Sequence, residues 1–157
     1  MIQRIQTVYL LVVAIIAFIM LFLPFGELTT EHYALVYNAF SVKFIEPIST
    51  QIISTVYIAL ELIAIIVLSI ITIFMYKNRK RQMQAISVNM LLVLITILTI
   101  TYIYPELLFS EIKELQDNTL KYNLSILIFV IPVICLILAK KAIAKDEALL
   151  KSADRLR

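Results

Sequence analysis

Residues 52–76 read IISTVYIALELIAIIVLSIITIFMY, and this stretch decides the fold. It carries a single charged residue, Glu61. An α-helix rises about 1.5 Å per residue, so a helix of this length crosses a hydrocarbon core roughly 30 Å thick. We therefore interpret residues 52–76 as a transmembrane helix.

Three further stretches have the same character. Uncharged runs lie at residues 5–26, 82–105 and 122–139. The whole chain has 157 residues, is 62% hydrophobic and only 16% charged, which is too apolar for a soluble domain and too short for more than one helix bundle. We predict an all-α membrane protein in which four transmembrane helices form one antiparallel bundle. The predicted spans are residues 7–24, 52–76, 85–104 and 122–141.

The charges between the spans are sorted by sign. Eleven of the fourteen Lys and Arg residues lie at the N-terminus, in the segment 77–81 or after residue 139. Seven of the eleven acidic residues lie in the segments that follow the first and third spans. Lys and Arg are enriched in cytoplasmic loops, so both termini and the middle loop are predicted to be cytoplasmic.

Two segments outside the spans have a readable pattern. In the first outer loop Tyr33, Leu35 and Tyr37 alternate with smaller residues, and alternation resumes at Phe40. This period of two predicts a short β-hairpin. Residues 142–157 are rich in Ala, Leu and Lys and lack Gly and Pro, which predicts that the last helix continues into the cytoplasm.

Glu61 is the one ionisable residue deep in a span, and we predict a depth near the middle of the membrane. Ser54 and Tyr57 lie on nearly the same face of the second span as Glu61. Thr96 and Thr99 of the third span are expected at a similar depth. A charged carboxylate there costs several kcal/mol, so the side chain is expected to face the bundle interior and form a hydrogen bond. Three roles are open: a structural pin, a proton or cation site, and a contact with a membrane partner.

The chain shows no motif for catalysis, metal binding or a cofactor. With a single Gly, neither a Gly-rich nucleotide loop nor the nucleophile turn of a hydrolase can form. One histidine, His32, and one cysteine, Cys135, provide neither a metal ligand set nor an intrachain disulfide. We predict a non-enzymatic protein with no cofactor, no metal and no nucleic-acid partner.

The two ends of the chain resemble a known family. MIQRIQTVYLL at residues 1–11 and KDEALLKSADRLR at residues 145–157 are similar to the opening and closing signatures of domain of unknown function 4293, an uncharacterised family of small four-span bacterial membrane proteins. The resemblance covers the full length and implies four helices, the bacterial inner membrane and no assigned activity. It also implies that polar residues of both ends, Gln6 and Asp146 among them, form a recurring cytoplasmic feature.

These polar ends lead to a functional prediction. Arg4 could pair with Asp146 or Asp154, but exposed ion pairs contribute only about 0–1 kcal/mol, which is little reason for their presence. We therefore predict that the basic cytoplasmic face, including Arg4, Asp146, Asp154 and Arg155, docks another membrane protein or a second copy of the chain. The alternative is a small proton- or cation-coupled transporter or channel that uses Glu61.

Overall fold

A computed structural model describes residues 3–29, 34–46, 54–111, 121–122 and 124–155. Most of them are helical, and the four long helical stretches predicted from the apolar pattern are present, so the helical fold class is confirmed. In chain order the elements are α1 (Gln3–Met20), β1 (Gly26–Thr29), β2 (Ala34–Tyr37), β3 (Val42–Glu46), α2 (Val56–Phe74), α3 (Arg79–Leu98), α4 (Tyr104–Glu111), β4 (Lys121–Tyr122) and α5 (Val130–Arg155).

Three shorter helical segments join these elements. A 3-10 turn, Met75–Lys77, follows α2. A π-helical turn, Thr99–Ile103, runs from α3 directly into α4, so that one long helix extends from residue 79 to residue 111. A second 3-10 segment, Leu124–Phe129, leads into α5.

The four long helices contact one another in a ring. α1 packs against α2 and α5, and α3 packs against the same two helices. Each helix buries a stripe of residues at three- and four-residue spacing, as expected for helices that share a core. The stripe of α3 is Gln82, Ile86, Asn89, Val93 and Thr96.

The outward faces of the same helices are apolar too. Phe18 in α1, Leu60 in α2, Leu91 in α3 and Ile134 in α5 are each at least half exposed. A protein surface in water rarely carries an apolar band that continues around all its helices. Such a band matches the hydrocarbon region of a bilayer, where apolar side chains are in their preferred surroundings.

Three of the described helices are long and apolar enough to cross a membrane. The apolar part of α1, Ile5–Met20, is shorter. Its helical path extends one turn further, because the backbone N–H groups of Leu21 and Phe22 donate to carbonyls three residues earlier. The three candidate spans are Val56–Lys77, Arg79–Leu107 and Ile126–Leu149.

The connection between α2 and α3 is much shorter than the sequence suggested. We predicted an inner loop before a span beginning at residue 85, but α3 begins at Arg79 and Asn78 alone separates it from the preceding 3-10 turn. The Asn78 side chain caps α3 by accepting a hydrogen bond from the backbone N–H of Arg81 at 3.3 Å. Lys, Arg and Gln are good helix formers, so the charged run continues the helix.

α2 begins later than predicted, at Val56 instead of residue 52. The preceding residue, Thr55, is held by the neighbouring hairpin. Its backbone N–H donates to the Phe40 carbonyl at 3.4 Å, and its hydroxyl donates to the Asn38 carbonyl at 2.8 Å. These bonds fix the chain outside the helix until Val56.

A four-stranded antiparallel sheet lies beyond one end of the helices, with strand order β3-β2-β1-β4. The β2–β3 pair confirms the predicted hairpin, and the Asn38 carboxamide oxygen accepts from the N–H groups of Phe40 and Ser41 in its turn. β1 and β4 were not predicted. Because β4 places Tyr122 opposite Gly26 in β1, the sheet joins the segments that follow the first and third long helices.

An aromatic cluster connects this sheet to the helices. Phe25 and Tyr37 are fully buried, with ring centroids 6.0 Å apart. The Phe25 ring also lies 6.4 Å from Phe129, and the Tyr37 ring stacks on Tyr104 at 6.4 Å. We call this the sheet end of the molecule, and the opposite end, where Asn78 joins α2 to α3, the basic end.

The fourth long helix starts later than the predicted span. Tyr122, the first residue of that span, lies in β4, and α5 begins only at Val130. Pro132 lies in the first turn of α5. Backbone N–H groups in the first turn have no acceptor within the helix, so the missing N–H of proline removes no helical hydrogen bond there. α5 then runs to Arg155, which agrees with the predicted helical extension of the last span.

Candidate functional site

Glu61 lies on α2 and is partly buried. Its Oε1 accepts a hydrogen bond from the Thr99 hydroxyl at 3.1 Å. Its Oε2 is buried and has no hydrogen-bond partner within the described parts of the chain. Because α2 begins at Val56, Glu61 is about 8 Å along the helix axis from its start. Ile65, the middle residue of α2, lies about 6 Å further along the axis, so Glu61 is in the half of α2 nearer to the sheet end but close to its middle.

Thr99, the partner of Glu61, is the first residue of the π-helical turn. The next carbonyl, that of Ile100, accepts a hydrogen bond from the hydroxyl of the buried Tyr37 at 3.0 Å. π-helical turns are rare and frequent at functional sites. Glu61 thus bonds to the segment of helix that also holds the sheet.

Within the described structure, the other predicted members of this site form no hydrogen bond with the carboxylate. Thr96 is buried, and its hydroxyl donates to the carbonyl four residues earlier in its own helix. Tyr57 is 74% exposed, and Ser54 is exposed at the sheet end. Of the predicted neighbours, the structure brings Thr99 into hydrogen-bond contact with Glu61.

Two further polar contacts join α2 to α3, and sequence reasoning missed both. Asn89 donates through Nδ2 to the Ser69 hydroxyl at 2.7 Å, and both side chains are fully buried. The Asn89 Oδ1 is buried without a partner among the described residues. Gln82 donates through Nε2 to the Thr72 carbonyl at 3.2 Å. Together with the Glu61 contact, these bonds form what we call the α2–α3 seam.

At the basic end a hydrogen bond joins α1 to α5. Gln6 donates through Nε2 to Asp146 Oδ2 at 2.8 Å, as the proposed meeting of the two chain ends requires. We predicted that Asp146 belongs to the exposed docking face, but its side chain is only 8% exposed. Its carboxylate binds α1 instead. The side chains of Arg4, Asp154 and Arg155 lie outside the described part of the structure.

Exposed cations also lie on the helices at the basic end. They come from the 3-10 turn after α2, the first turns of α3 and the second half of α5, and we call this set the basic surface. Lys140 Nζ donates to the Ser87 hydroxyl at 2.8 Å, which links α5 to α3. Nη1 of Arg79, the first residue of α3, is buried with no partner in the described structure. The basic surface consists of Lys77, Lys80, Arg81, Lys140, Lys141 and Lys145.

The chemistry available at these sites is limited to protons, hydrogen bonds and charge. Among the described residues no group of three or more His, Cys, Asp or Glu side chains is placed to hold a metal ion. Cys135 is free and buried in α5, and His32 lies outside the described residues. A carboxyl group beside a hydroxyl, as at Glu61 and Thr99, is able to take up a proton or a small cation.

The fold and these sites define a small helical protein that carries helices able to cross a membrane and a small sheet at one end. The model of a family described as a domain of unknown function (DUF4293) matches residues 2–156. The chain belongs to this family, as its terminal signatures implied. No curated protein and no solved structure matches the chain.

Proposed function

We propose that the chain is an integral protein of the bacterial inner membrane with four spans, and that its basic end lies in the cytoplasm. The apolar outward faces of all four long helices, α1 included, support this placement. The distribution of charge supports the orientation, because Lys and Arg are enriched on the cytoplasmic side of membrane proteins. The sheet end, where Glu27 and Glu106 are exposed, then faces outward.

We further propose that the protein works by association and not by catalysis, with the basic surface as its docking face. The observation that carries this proposal is the exposure of six cations, contributed by separate helices, at one end of the molecule. Like charges repel one another across an interface, so this surface fits an acidic face of another membrane protein better than a second copy of itself. The long α5 extends the same face beyond the apolar region.

The docking proposal is tested by crosslinking in native membranes, affinity purification and mass spectrometry. The informative variant is the double charge reversal Lys141→Glu with Lys145→Glu, and the matched control is Lys43→Glu on the exposed β3 position. We expect a stoichiometric partner that disappears in the double variant and persists in the control. Identical copurifying proteins in all three samples would contradict docking through this surface.

The orientation has its own test, which uses cysteine labelling in a Cys135→Ala background. Lys43→Cys at the sheet end is expected to react with an impermeant thiol reagent in intact spheroplasts. Lys80→Cys at the basic end is expected to react only after lysis. The opposite pattern would overturn the proposed orientation while leaving membrane insertion intact.

A second candidate function is proton- or cation-coupled transport through Glu61. The observation that favours it is the buried Oε2, which lacks a hydrogen-bond partner in the described structure. In proteoliposomes, transport predicts that Glu61→Gln abolishes flux and leaves the folded protein intact. A purely structural pin predicts no flux by the wild type and a folded Glu61→Gln variant, with Glu61→Leu as the more damaging substitution, because Gln retains an acceptor for Thr99.

A further inference from the structure

α3 and α5 pack against each other, and a hydrogen-bonded pair that is open to the surroundings joins them near the basic end. We call the strip of surface along this contact, from Lys80 to Leu98 of α3, the groove. Lys140 is exposed, and its Nζ donates to the Ser87 hydroxyl at 2.8 Å. The Ser87 hydroxyl in turn donates to the Met83 carbonyl at 3.0 Å, so its own proton is used within α3. An ammonium group has three N–H donors. Ser87 therefore fixes the position of the Lys140 ammonium and leaves two of its donors for a ligand.

Polar side chains continue along the same face of α3. Lys80, Gln84 and Ser87 follow one another at spacings of four and three residues, which places them on one side of the helix. Lys80 and Gln84 are exposed. On α5 the residue one turn beyond Lys140 is the exposed and small Ala144, so the groove stays open beside the ammonium. This half of the groove offers hydrogen-bond donors and positive charge.

The other half of the groove is apolar. Beyond Ser87 the same face of α3 presents Leu91, Leu94 and Leu98, each about half exposed. On α5, Ile137 lies one turn before Lys140 and is also exposed. Along its length the groove therefore changes from cationic donors to aliphatic side chains. A phospholipid has the same order of groups, with an anionic phosphate followed by acyl chains.

We propose that this groove binds an anionic phospholipid whose phosphate accepts hydrogen bonds from Lys140. The proposal rests on the membrane placement proposed above and adds a ligand class that the docking surface does not require. An anionic headgroup matches the cationic half and its acyl chains match the leucines, so one lipid molecule fits the whole length of the groove. A zwitterionic headgroup carries its own cation, which Lys80 and Lys140 repel, so the groove prefers lipids with a net negative charge.

The test is native mass spectrometry of the detergent-purified protein titrated with phosphatidylglycerol or phosphatidylcholine. For the wild type we expect tighter binding of phosphatidylglycerol. Lys140→Gln is expected to weaken it about fivefold, the effect of removing one cation close to an anionic lipid. Lys140→Arg keeps the charge and is expected to retain most of the affinity. The matched control is Lys141→Gln, which removes a neighbouring exposed cation on another face of α5.

Each result either supports or overturns the lipid site. Weaker phosphatidylglycerol binding by Lys140→Gln, with binding retained by Lys140→Arg and Lys141→Gln, supports the site. Equal loss in Lys140→Gln and Lys141→Gln, or equal binding of both lipids by the wild type, overturns it, because the binding is then diffuse or not charge-dependent. Carbonate extraction of native membranes distinguishes failure of the membrane placement from failure of the lipid site. Release of the chain from the membrane would contradict both proposals. Retention in the membrane without a preference for anionic lipid would contradict the lipid site alone.

Discussion

The two ends of the same four helices are closed in different ways. At the sheet end, large aromatic rings and four strands cover the helix ends, and Tyr37 reaches from β2 to the Ile100 carbonyl. At the basic end, short polar contacts such as Gln6–Asp146 close the core. The difference follows from the connections, because the short 3-10 turn and Asn78 between α2 and α3 supply no layer of their own, whereas the segments at the sheet end do.

The largest expected effect tests the aromatic closure of the sheet end. Phe25→Ala removes a fully buried ring that contacts Tyr37 and Phe129, and we expect a loss of about 3–5 kcal/mol in the free energy of unfolding. The control is Phe22→Ala, because Phe22 lies in the same segment and is 66% exposed. Thermal unfolding in detergent measures both. Equal destabilisation by the two variants would show that the cluster has no special role.

The basic end is tested by separating Gln6 from Asp146. Asp146→Ala leaves the buried Gln6 amide without its acceptor, which is expected to cost about 1–3 kcal/mol of unfolding free energy. Lys145→Ala, at the exposed neighbouring position, is expected to change stability very little. A double variant that also carries Gln6→Leu should recover part of the loss, since no polar group is then stranded. Additive losses would argue that the two side chains act independently.

A smaller effect is expected from the hydroxyl that joins the sheet to the helices. Tyr37→Phe keeps the ring and removes only the bond to the Ile100 carbonyl, so we expect a loss of about 0.5–1.5 kcal/mol. Tyr57→Phe is the control, because that side chain is largely exposed. Hydrogen exchange of the β2 amides should rise in Tyr37→Phe if the hydroxyl anchors the strand. Unchanged exchange would assign the anchoring to the aromatic ring alone.

The smallest effect concerns the α2–α3 seam between the two ends. Thr99→Val removes the bond to Glu61, and polar contacts between membrane helices average about 0.6 kcal/mol. Thr96→Val is a close control, because the Thr96 hydroxyl bonds within its own helix. The difference between the two variants in unfolding free energy isolates the interhelical bond. A larger loss of unfolding free energy in Thr96→Val than in Thr99→Val would show that the Glu61–Thr99 bond is not what stabilises the seam.

The elements that long patterns specify could be predicted from the sequence. Uncharged runs predict the long helices, and alternation around Asn38 predicts the β2–β3 hairpin. β1 and β4 could not be predicted, because β4 has only two residues and its pairing with β1 connects distant parts of the chain. The early start of α3 was missed because charge was read as a loop signal, although Asn78 is a good N-cap residue directly before a run of helix formers.

The candidate site was predicted in part. The depth argument selected Thr99 as a neighbour of Glu61, and the structure bonds the two residues. The helix-face argument selected Tyr57, whose side chain is 74% exposed in the structure. The Ser69–Asn89 contact was missed, yet Asn89 lies in the same three- and four-residue stripe as Ile86 and Val93. A polar residue at such a position in an apolar helix is a usable signal for a buried interhelical contact.

The Gln6–Asp146 bond also has a consequence for biosynthesis. Its two residues are 140 positions apart, and a ribosome that adds about 5–20 residues per second needs roughly 7–28 s to pass from the first to the second. For most of that interval α1 is already made, but its polar partner and α5, one of its two packing neighbours, are not. The nascent chain therefore holds an incomplete ring until α5 has been made, and α5 then completes the surroundings of α1.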